Sequence, residues 1–357
     1  MEVVSMKLFR LACGLFFLCL SANASAVSYS GLYVFGNSLS DSGNMINTLR
    51  AYGANPDPDG VYYDGRSSNG PNYVDLLAAE LGLDSTPSTA GGTNYAYNAA
   101  RMTYHPLGTG FYGVDEQIQL YLGSNGGSAD ADGLYLVWGG TNDLLDLAIG
   151  LGNGTVNPDD LSALLYGIAS DLTGQITILA NAGAQNIVVF NEPSLALSPE
   201  AQLYPALLPL LDLLTQNFNS LLDDMLNHLS GPTLYRIDAY SLFADMATNP
   251  QNYGLTNTTD ACYTGDYKEL TGGGSVCASP DEYLFWDGIH PSAAAHVYIA
   301  EAVLAQVAIP EPAPLGLLFT GLAILGLRRR QIGKKACISS RVSQPAVLLS
   351  ASAPLPA

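Results

Sequence analysis

Short apolar runs alternate along the chain with longer stretches whose apolar positions recur every three or four residues. The runs cover residues 31–35, 133–138, 186–191 and 233–238, each bounded by Gly, Asn or Asp. Continuous apolar runs of this length predict strands buried on both faces. The longer stretches predict helices. One opens at Pro158-Asp159-Asp160 and reaches about Ala180, and a second covers 207–229 with Pro209 breaking it early. A third closes the pattern over 292–307, with alanines on its packing face. Strand and helix in alternation predict an α/β domain built on a mainly parallel sheet. No internal repeat or linker interrupts 27–309, so this stretch reads as one domain.

Both ends depart from that pattern. Lys7 and Arg10 precede an apolar run over 11–20, and small residues from Ser21 to Ala26 follow. This three-part order is that of a secretory signal peptide spanning 1–26. Ten apolar residues are too few to cross a bilayer. At the other end Pro310-Glu311-Pro312 precedes an apolar segment over 315–327 and then Arg328-Arg329-Arg330. These three elements, in this order, resemble the PEP-CTERM sorting signal of exported bacterial proteins. The resemblance implies that 310–330 holds the protein in the inner membrane through 315–327, the arginines staying on the cytoplasmic side. It also implies an exosortase-type processing enzyme as partner. Residues 331–357 follow with no periodicity and read as an unstructured tail. The expected destination is the periplasm, cell envelope or extracellular matrix.

Composition narrows the classes further. With 48% hydrophobic residues the chain can bury a large core, which excludes a disordered or fibrous protein. Between 27 and 309 only Arg50, Arg66, Arg101, Arg236 and Lys268 are basic, against 30 acidic residues. So acidic a surface repels phosphate backbones and excludes nucleic acid as a partner. Cys13, Cys19 and Cys337 fall in the end segments, which leaves Cys262 and Cys277 inside a Gly- and Thr-rich loop. In an oxidising compartment that even pair reads as a disulfide. Its surroundings offer too few further His or Cys for a metal site.

Three segments carry the chemistry. Phe35-Gly36-Asn37-Ser38-Leu39-Ser40-Asp41 places a serine after the first strand and before a helix, where a turn exposes the hydroxyl. Gly139-Gly140-Thr141-Asn142-Asp143 follows the 133–138 strand at its C-terminal end, the edge where open α/β sheets build their sites. Asp287-Gly288-Ile289-His290-Pro291 sets a carboxylate three residues before an imidazole, close enough to hold one ring nitrogen. The other histidines, His105, His228 and His296, read as structural.

Together these segments, in this chain order, resemble the GDSL or SGNH hydrolase family over roughly residues 31–307. The resemblance implies a flavodoxin-like three-layer sandwich with five parallel strands. It implies Ser38 as nucleophile, His290 as general base and acid, and Asp287 as its orienting carboxylate. Asn142 and the backbone N–H of Ser38 would donate to the oxyanion, and no metal or organic cofactor would be needed. Two departures stand out. The family signature reads Gly-Asp-Ser-Leu, but position 37 is Asn. The block from Gly91 to Arg101 usually ends in a Gly-Gly pair that supplies a further oxyanion N–H, and here it reads Asn98-Ala99. Non-glycine residues resist φ > 0, and the sequence leaves open which of the two donates. The implied activity is hydrolysis of carboxylic esters, either lipid esters or O-acetyl groups on polysaccharide, through an acyl-enzyme. Two other readings compete: an acyltransferase with the same triad, and a surface protein with weakened catalysis that binds glycan or lipid.

Overall fold

The computed structural model describes residues 28–268 and 270–308. The expected signal peptide at 1–26, the expected sorting segment at 310–330 and the 331–357 stretch all lie outside the described residues. Four parallel strands form the central sheet: β1 (Leu32–Gly36), β2 (Leu134–Trp138), β3 (Asn186–Phe190) and β4 (Thr233–Ile237), in the order β1-β2-β3-β4. The eight principal helices are α1 (Asn44–Ala51), α2 (Tyr73–Leu81), α3 (Val114–Ser124), α4 (Thr141–Asn153), α5 (Leu161–Ala182), α6 (Leu208–Asn227), α7 (Ala239–Thr248) and α8 (Ala293–Val307).

Strand periodicity decides which residues meet which layer. On one face Leu32, Val34, Leu134, Leu136, Val188 and Ile237 pack against α2, α7 and α8. On the other, Phe35, Tyr135, Val137, Ile187 and Val189 pack against α3, α4, α5 and α6. The result is a helix–sheet–helix sandwich, and burial on both faces is why β1, β2 and β3 are apolar with little alternation, whereas the edge strand β4 is more exposed and carries Thr233 and Arg236.

A fifth ladder strand is replaced by a shorter pairing. Segment 93–97 lies alongside the outer edge of β1, parallel to it. Val34 N–H donates to Thr93 O (3.2 Å), Tyr95 N–H to Val34 O (2.8 Å) and Tyr97 N–H to Gly36 O (3.1 Å). The segment does not continue as a strand because Asn94 turns away. Its N–H donates to Thr86 O, its carbonyl accepts from Ser88, and its side chain donates to Ser40 O at 2.8 Å.

Pro209 does not break its helix. It occupies the first turn of α6, where the missing N–H has no partner to lose. Helix α5 is long and apolar enough to span a membrane by length and composition, yet Leu165, Leu172, Ile176 and Leu179 are buried in the second core. Asp57 accepts from the N–H groups of Val61 and Tyr62, as in a plain turn.

A small sheet of β5 (Asn257–Ala261) and β6 (Tyr283–Phe285) leads into the closing segment. A disulfide joins Cys262 to Cys277, with Cα atoms 4.8 Å apart. Four of the five basic residues named above pair with carboxylates. Arg66 pairs with Asp75 (2.8 Å) and Asp64, Arg101 with Asp146 (2.7 Å), Arg236 with Asp223 (2.9 Å), and Lys268 with Glu200.

Candidate active site

The candidate residues come from three loops at the C-terminal edge of the sheet. Ser38 lies in the turn that leaves β1. Asn37, almost fully buried, organises this turn. Its carbonyl accepts from Ser40 and Asp41 (3.0 Å each), and its side-chain oxygen accepts from Leu39 N–H (3.1 Å). Ser38 is left with neither its N–H nor its hydroxyl hydrogen-bonded among the described residues, and it is partly exposed.

The closing loop holds a preformed pair. His290 Nδ1 lies 2.8 and 2.9 Å from the two oxygens of Asp287. Asp287 Oδ1 also accepts from the backbone N–H groups of Ile289 (3.0 Å) and His290 (2.9 Å), which folds the Asp-x-x-His turn. Tyr62 donates to Asp287 Oδ2 at 2.9 Å. Burial alone would raise the Asp287 pKa, but the attraction of the His290 ring, its N–H and the two backbone N–H groups hold it below the usual carboxylate range. Burial, then the Asp287 charge, pushes the Tyr62 hydroxyl far up, so it remains a donor. Among the described residues no hydrogen bond joins Ser38 to His290, so the site consists of a bonded Asp287–His290 pair and an unbonded serine.

In the 91–101 block the N–H groups of Asn98 and Ala99 differ. Asn98 N–H is spent on Asp41 Oδ2 at 2.8 Å. Ala99 N–H has no acceptor among the described residues, and Ala99 sits at φ 65°. Of the two N–H groups, that of Asn98 is committed and that of Ala99 is free among the described residues. Alanine adopts this glycine-like backbone because both sides of it are fixed. Arg101 Nη1 donates to Ala99 O (2.7 Å), and the His105 ring bonds Asn98 O (2.7 Å). Strain of this kind persists only where surroundings over-determine it.

Asn142 stands in the first turn of α4. Gly140 opens that helix at φ 126°, with its Cα so close to Phe218 that a Cβ would lie 2.9 Å from the ring. Asn142 Nδ2 gives one hydrogen to Ala100 O (2.9 Å), and no acceptor takes the other among the described residues. Asp143 accepts from Met102 N–H (3.1 Å), so α4 holds the 99–102 segment at two points.

Loop 62–69 connects the parts. Tyr62 reaches Asp287, Ser67 accepts from Asn98 Nδ2 (2.8 Å), and Ser68 donates to Pro291 O (3.0 Å). A small cavity beside it is lined by Met45, Ile46, Tyr62, Asn98, Tyr267 and His290, and Ser38 lies outside that lining.

Several residues here carry roles that the sequence patterns do not reveal. Asp41, fully buried, accepts from Gly43, Asn44 and Met45 at the start of α1 as well as from Asn98. Burial outweighs these bonds and raises its pKa to about 6. An acidic residue just ahead of a helix is a capping signal, and that is the available hint. Gln117 clamps Gly36 through both its amide atoms (2.8 and 2.9 Å) from α3, with no local sequence sign. His296 is fully buried, accepts from Tyr73 N–H, and is lowered by burial to about 3, so it stays neutral. His105 packs on Phe111 and braces Asn98. His228 caps its own helix through Asp224 O. No cluster of three or more His, Cys, Asp or Glu able to hold a metal occurs among the described residues.

A family model described as GDSL-like lipase/acylhydrolase matches residues 32–303. A phosphatidylcholine-sterol acyltransferase of Aeromonas hydrophila is 29% identical over 339 residues, covering 83% of this chain and 95% of that protein. A GDSL esterase/lipase of Arabidopsis thaliana is 30% identical over 317 residues, covering 75% and 85%. Among solved structures, an acetyl xylan esterase of Geobacillus stearothermophilus aligns with a TM-score of 0.39 at 15% identity, over 79% of this chain and 96% of that one.

Proposed function

The chain belongs to the GDSL-like lipase/acylhydrolase family and is a carboxylic ester hydrolase, and on that premise we propose that Ser38, His290 and Asp287 form its catalytic triad. The buried Asp287–His290 pair is the observation that carries this reading, because a carboxylate on Nδ1 fixes the tautomer that leaves Nε2 free as a base. His290 Nε2 takes the proton of Ser38 as Oγ attacks the ester carbonyl. Three unspent donors stabilise the oxyanion: Ser38 N–H, Ala99 N–H and the second amide hydrogen of Asn142. Each such donor is worth about 3 kcal/mol in the transition state. As the tetrahedral intermediate collapses, His290 gives its proton to the leaving alcohol and the acyl group stays on Ser38. Water then enters, loses a proton to His290, and releases the carboxylic acid.

Asn98-Ala99 in place of a glycine pair does not favour the binding-protein reading. Ala99 already holds the left-handed backbone, so the substitution costs strain and retains the donor. Lipid esters fit the names of both the bacterial and the plant relatives, and O-acetyl groups on polysaccharide remain the smaller alternative substrate. A second route is favoured by the acyltransferase relative in Aeromonas: an alcohol replaces water in the last step, with the same triad. The exported location rests on the signal-peptide pattern, the sorting-signal resemblance and the Cys262–Cys277 disulfide, which suits an oxidising compartment. Membrane contact through 315–327 and an exosortase-type partner belong to the same reading.

The test is release of p-nitrophenol from acetate and octanoate esters by the purified protein, beside Ser38→Ala and fluorophosphonate labelling. Activity and label that both vanish in Ser38→Ala support the triad. A folded wild-type protein that neither turns over ester nor takes the label overturns it. Adding a long-chain alcohol and measuring new ester separates transfer from hydrolysis.

A further inference from the structure

A fully buried carboxyl that the proposed mechanism does not use lies behind the nucleophile turn. Glu192 follows β3, and its backbone is clamped by Asn219, which accepts from its N–H and donates to its carbonyl at 2.8 Å each. Its Oε2 accepts the Thr141 hydroxyl proton at 2.5 Å, and Oε1 has no hydrogen-bond partner of normal geometry. Thr141 Oγ1 in turn accepts from Asn37 Nδ2 at 3.2 Å. A three-member chain thus runs Asn37 → Thr141 → Glu192, from the turn that carries Ser38 to the buried acid.

With Glu192 ionised, the direction of this chain is fixed at both ends. Leu39 N–H can only donate, so the atom of Asn37 that faces it must be the oxygen, and the amide nitrogen must face Thr141. Thr141 has one hydroxyl proton, and with Asn37 donating to it that proton goes to Glu192. An ionised Asp at position 37, as in the family signature, has no proton to give and would need the one from Thr141. Asn37 and Glu192 are therefore complementary: amide on one side of Thr141, carboxyl on the other. Burial raises the Glu192 pKa to about 7, the Thr141 hydrogen bond opposes this, and the charge of Asp143 adds to it. Such an acid is expensive to bury, which argues for a use.

We propose that Glu192 is a positioning residue of this active site, supplying through Thr141 the carboxylate that the family signature carries at position 37 and so holding the turn that presents Ser38. This rests on the reading of Ser38 as nucleophile. Wild-type labelling lost in Ser38→Ala tests that reading separately, whereas the inference depends only on comparisons among variants at 37 and 192.

The experiment is a reciprocal exchange in the full chain. Asn37→Asp, Glu192→Gln and the double variant are compared for kcat and KM on p-nitrophenyl acetate, for rate of fluorophosphonate labelling, and for melting temperature. In Asn37→Asp two carboxyls compete for one hydroxyl proton, and kcat is expected to fall about tenfold with KM within about twofold, the scale of one lost hydrogen bond. Glu192→Gln keeps an acceptor for Thr141 and is expected to lose less, about threefold. In the double variant the amide introduced at position 192 donates to Thr141, whose own proton turns to the carboxylate introduced at position 37. The whole chain reverses, and kcat and labelling rate are expected to return to within about threefold of wild type. A double variant no faster than Asn37→Asp overturns the proposal, as does an Asn37→Asp enzyme as fast as wild type. Melting temperatures that recover in the double variant without recovery of kcat also overturn it, because they reduce Glu192 to a packing role.

Discussion

Ala99→Gly removes one methyl group and asks whether strain at the oxyanion segment is real and catalytically silent. Ala99 holds φ 65°, where an L-residue with a Cβ is disfavoured by about 1–2 kcal/mol. Glycine relieves that cost but loosens the unfolded chain, which returns about 0.4–1 kcal/mol. The net expectation is stabilisation of about 0.5 kcal/mol, or a rise in Tm of about 1–2 °C for a domain of this size. The backbone is not expected to move. Asp41 on Asn98 N–H, Arg101 on Ala99 O and His105 on Asn98 O hold the segment whichever side chain is present. The N–H of residue 99 therefore stays in place, and kcat should remain within about twofold, far less than the roughly 3 kcal/mol at stake if a donor were misplaced. Thermal melting and p-nitrophenyl acetate turnover measure the two quantities on one preparation. A Tm lower by more than about 2 °C would mean that Ala99 carries no strain. A rise in kcat of about fivefold or more would mean that the methyl had been displacing the donor.

Further expectations follow from other contacts. Tyr62→Phe removes the hydroxyl on Asp287 Oδ2, and kcat should fall about three- to tenfold with KM little changed, one charged hydrogen bond's worth at most; an unchanged kcat would remove Tyr62 from the site. Asp41, Asp143 and Glu192 all bind their protons more tightly when folded, with pKa values raised by burial to about 6, 7 and 7. Their stabilising contribution is complete below the ordinary carboxylate range and is lost as pH rises through about 6–7, whereas Asp287 works in the opposite sense at lower pH. Melts should therefore show Tm falling between about pH 5 and pH 8, with a shallower fall in Glu192→Gln, and a Tm that rises over that range would contradict the assignment. Reduction of Cys262–Cys277 should cost about 2–4 kcal/mol and raise KM, because the loop it closes brings Tyr267 against the His290 cavity; unchanged kinetics after reduction would show that the loop does not shape the site.

The sheet was legible because parallel strands covered on both faces are continuously apolar, as β1, β2 and β3 largely are, and all four runs became strands within a residue or two of the expected ends, including the more exposed edge strand β4. The fifth was illegible because 93–97 pairs with β1 through three backbone hydrogen bonds, and polar Thr93 and Asn94 give no apolar run. Pro209 misled because proline breaks a helix only beyond its first turn, and where that turn begins is decided by packing rather than by the residue itself. At the site, Asp287 and His290 were readable because their contact is local, three residues apart. Tyr62 and Glu192 were not, since they reach the site from 225 and 51 residues away from the side chains they bond. That Asp41 claims the N–H of Asn98 and not that of Ala99 is a fact of three-dimensional proximity and not of either residue's chemistry.

The pairing of Arg66, Arg101, Arg236 and Lys268 with carboxylates has a consequence for what the enzyme can meet. Cations already neutralised by near neighbours contribute little to the far field, so at a distance the molecule is close to a single-signed anion. Its reach is set by the medium: the field extends about 30 Å at 0.01 M salt but only about 8 Å at 0.15 M. In dilute water a field of that sign opposes the approach of acidic polymers and anionic lipid surfaces and leaves uncharged esters unaffected. At higher salt that opposition weakens without a change in any residue.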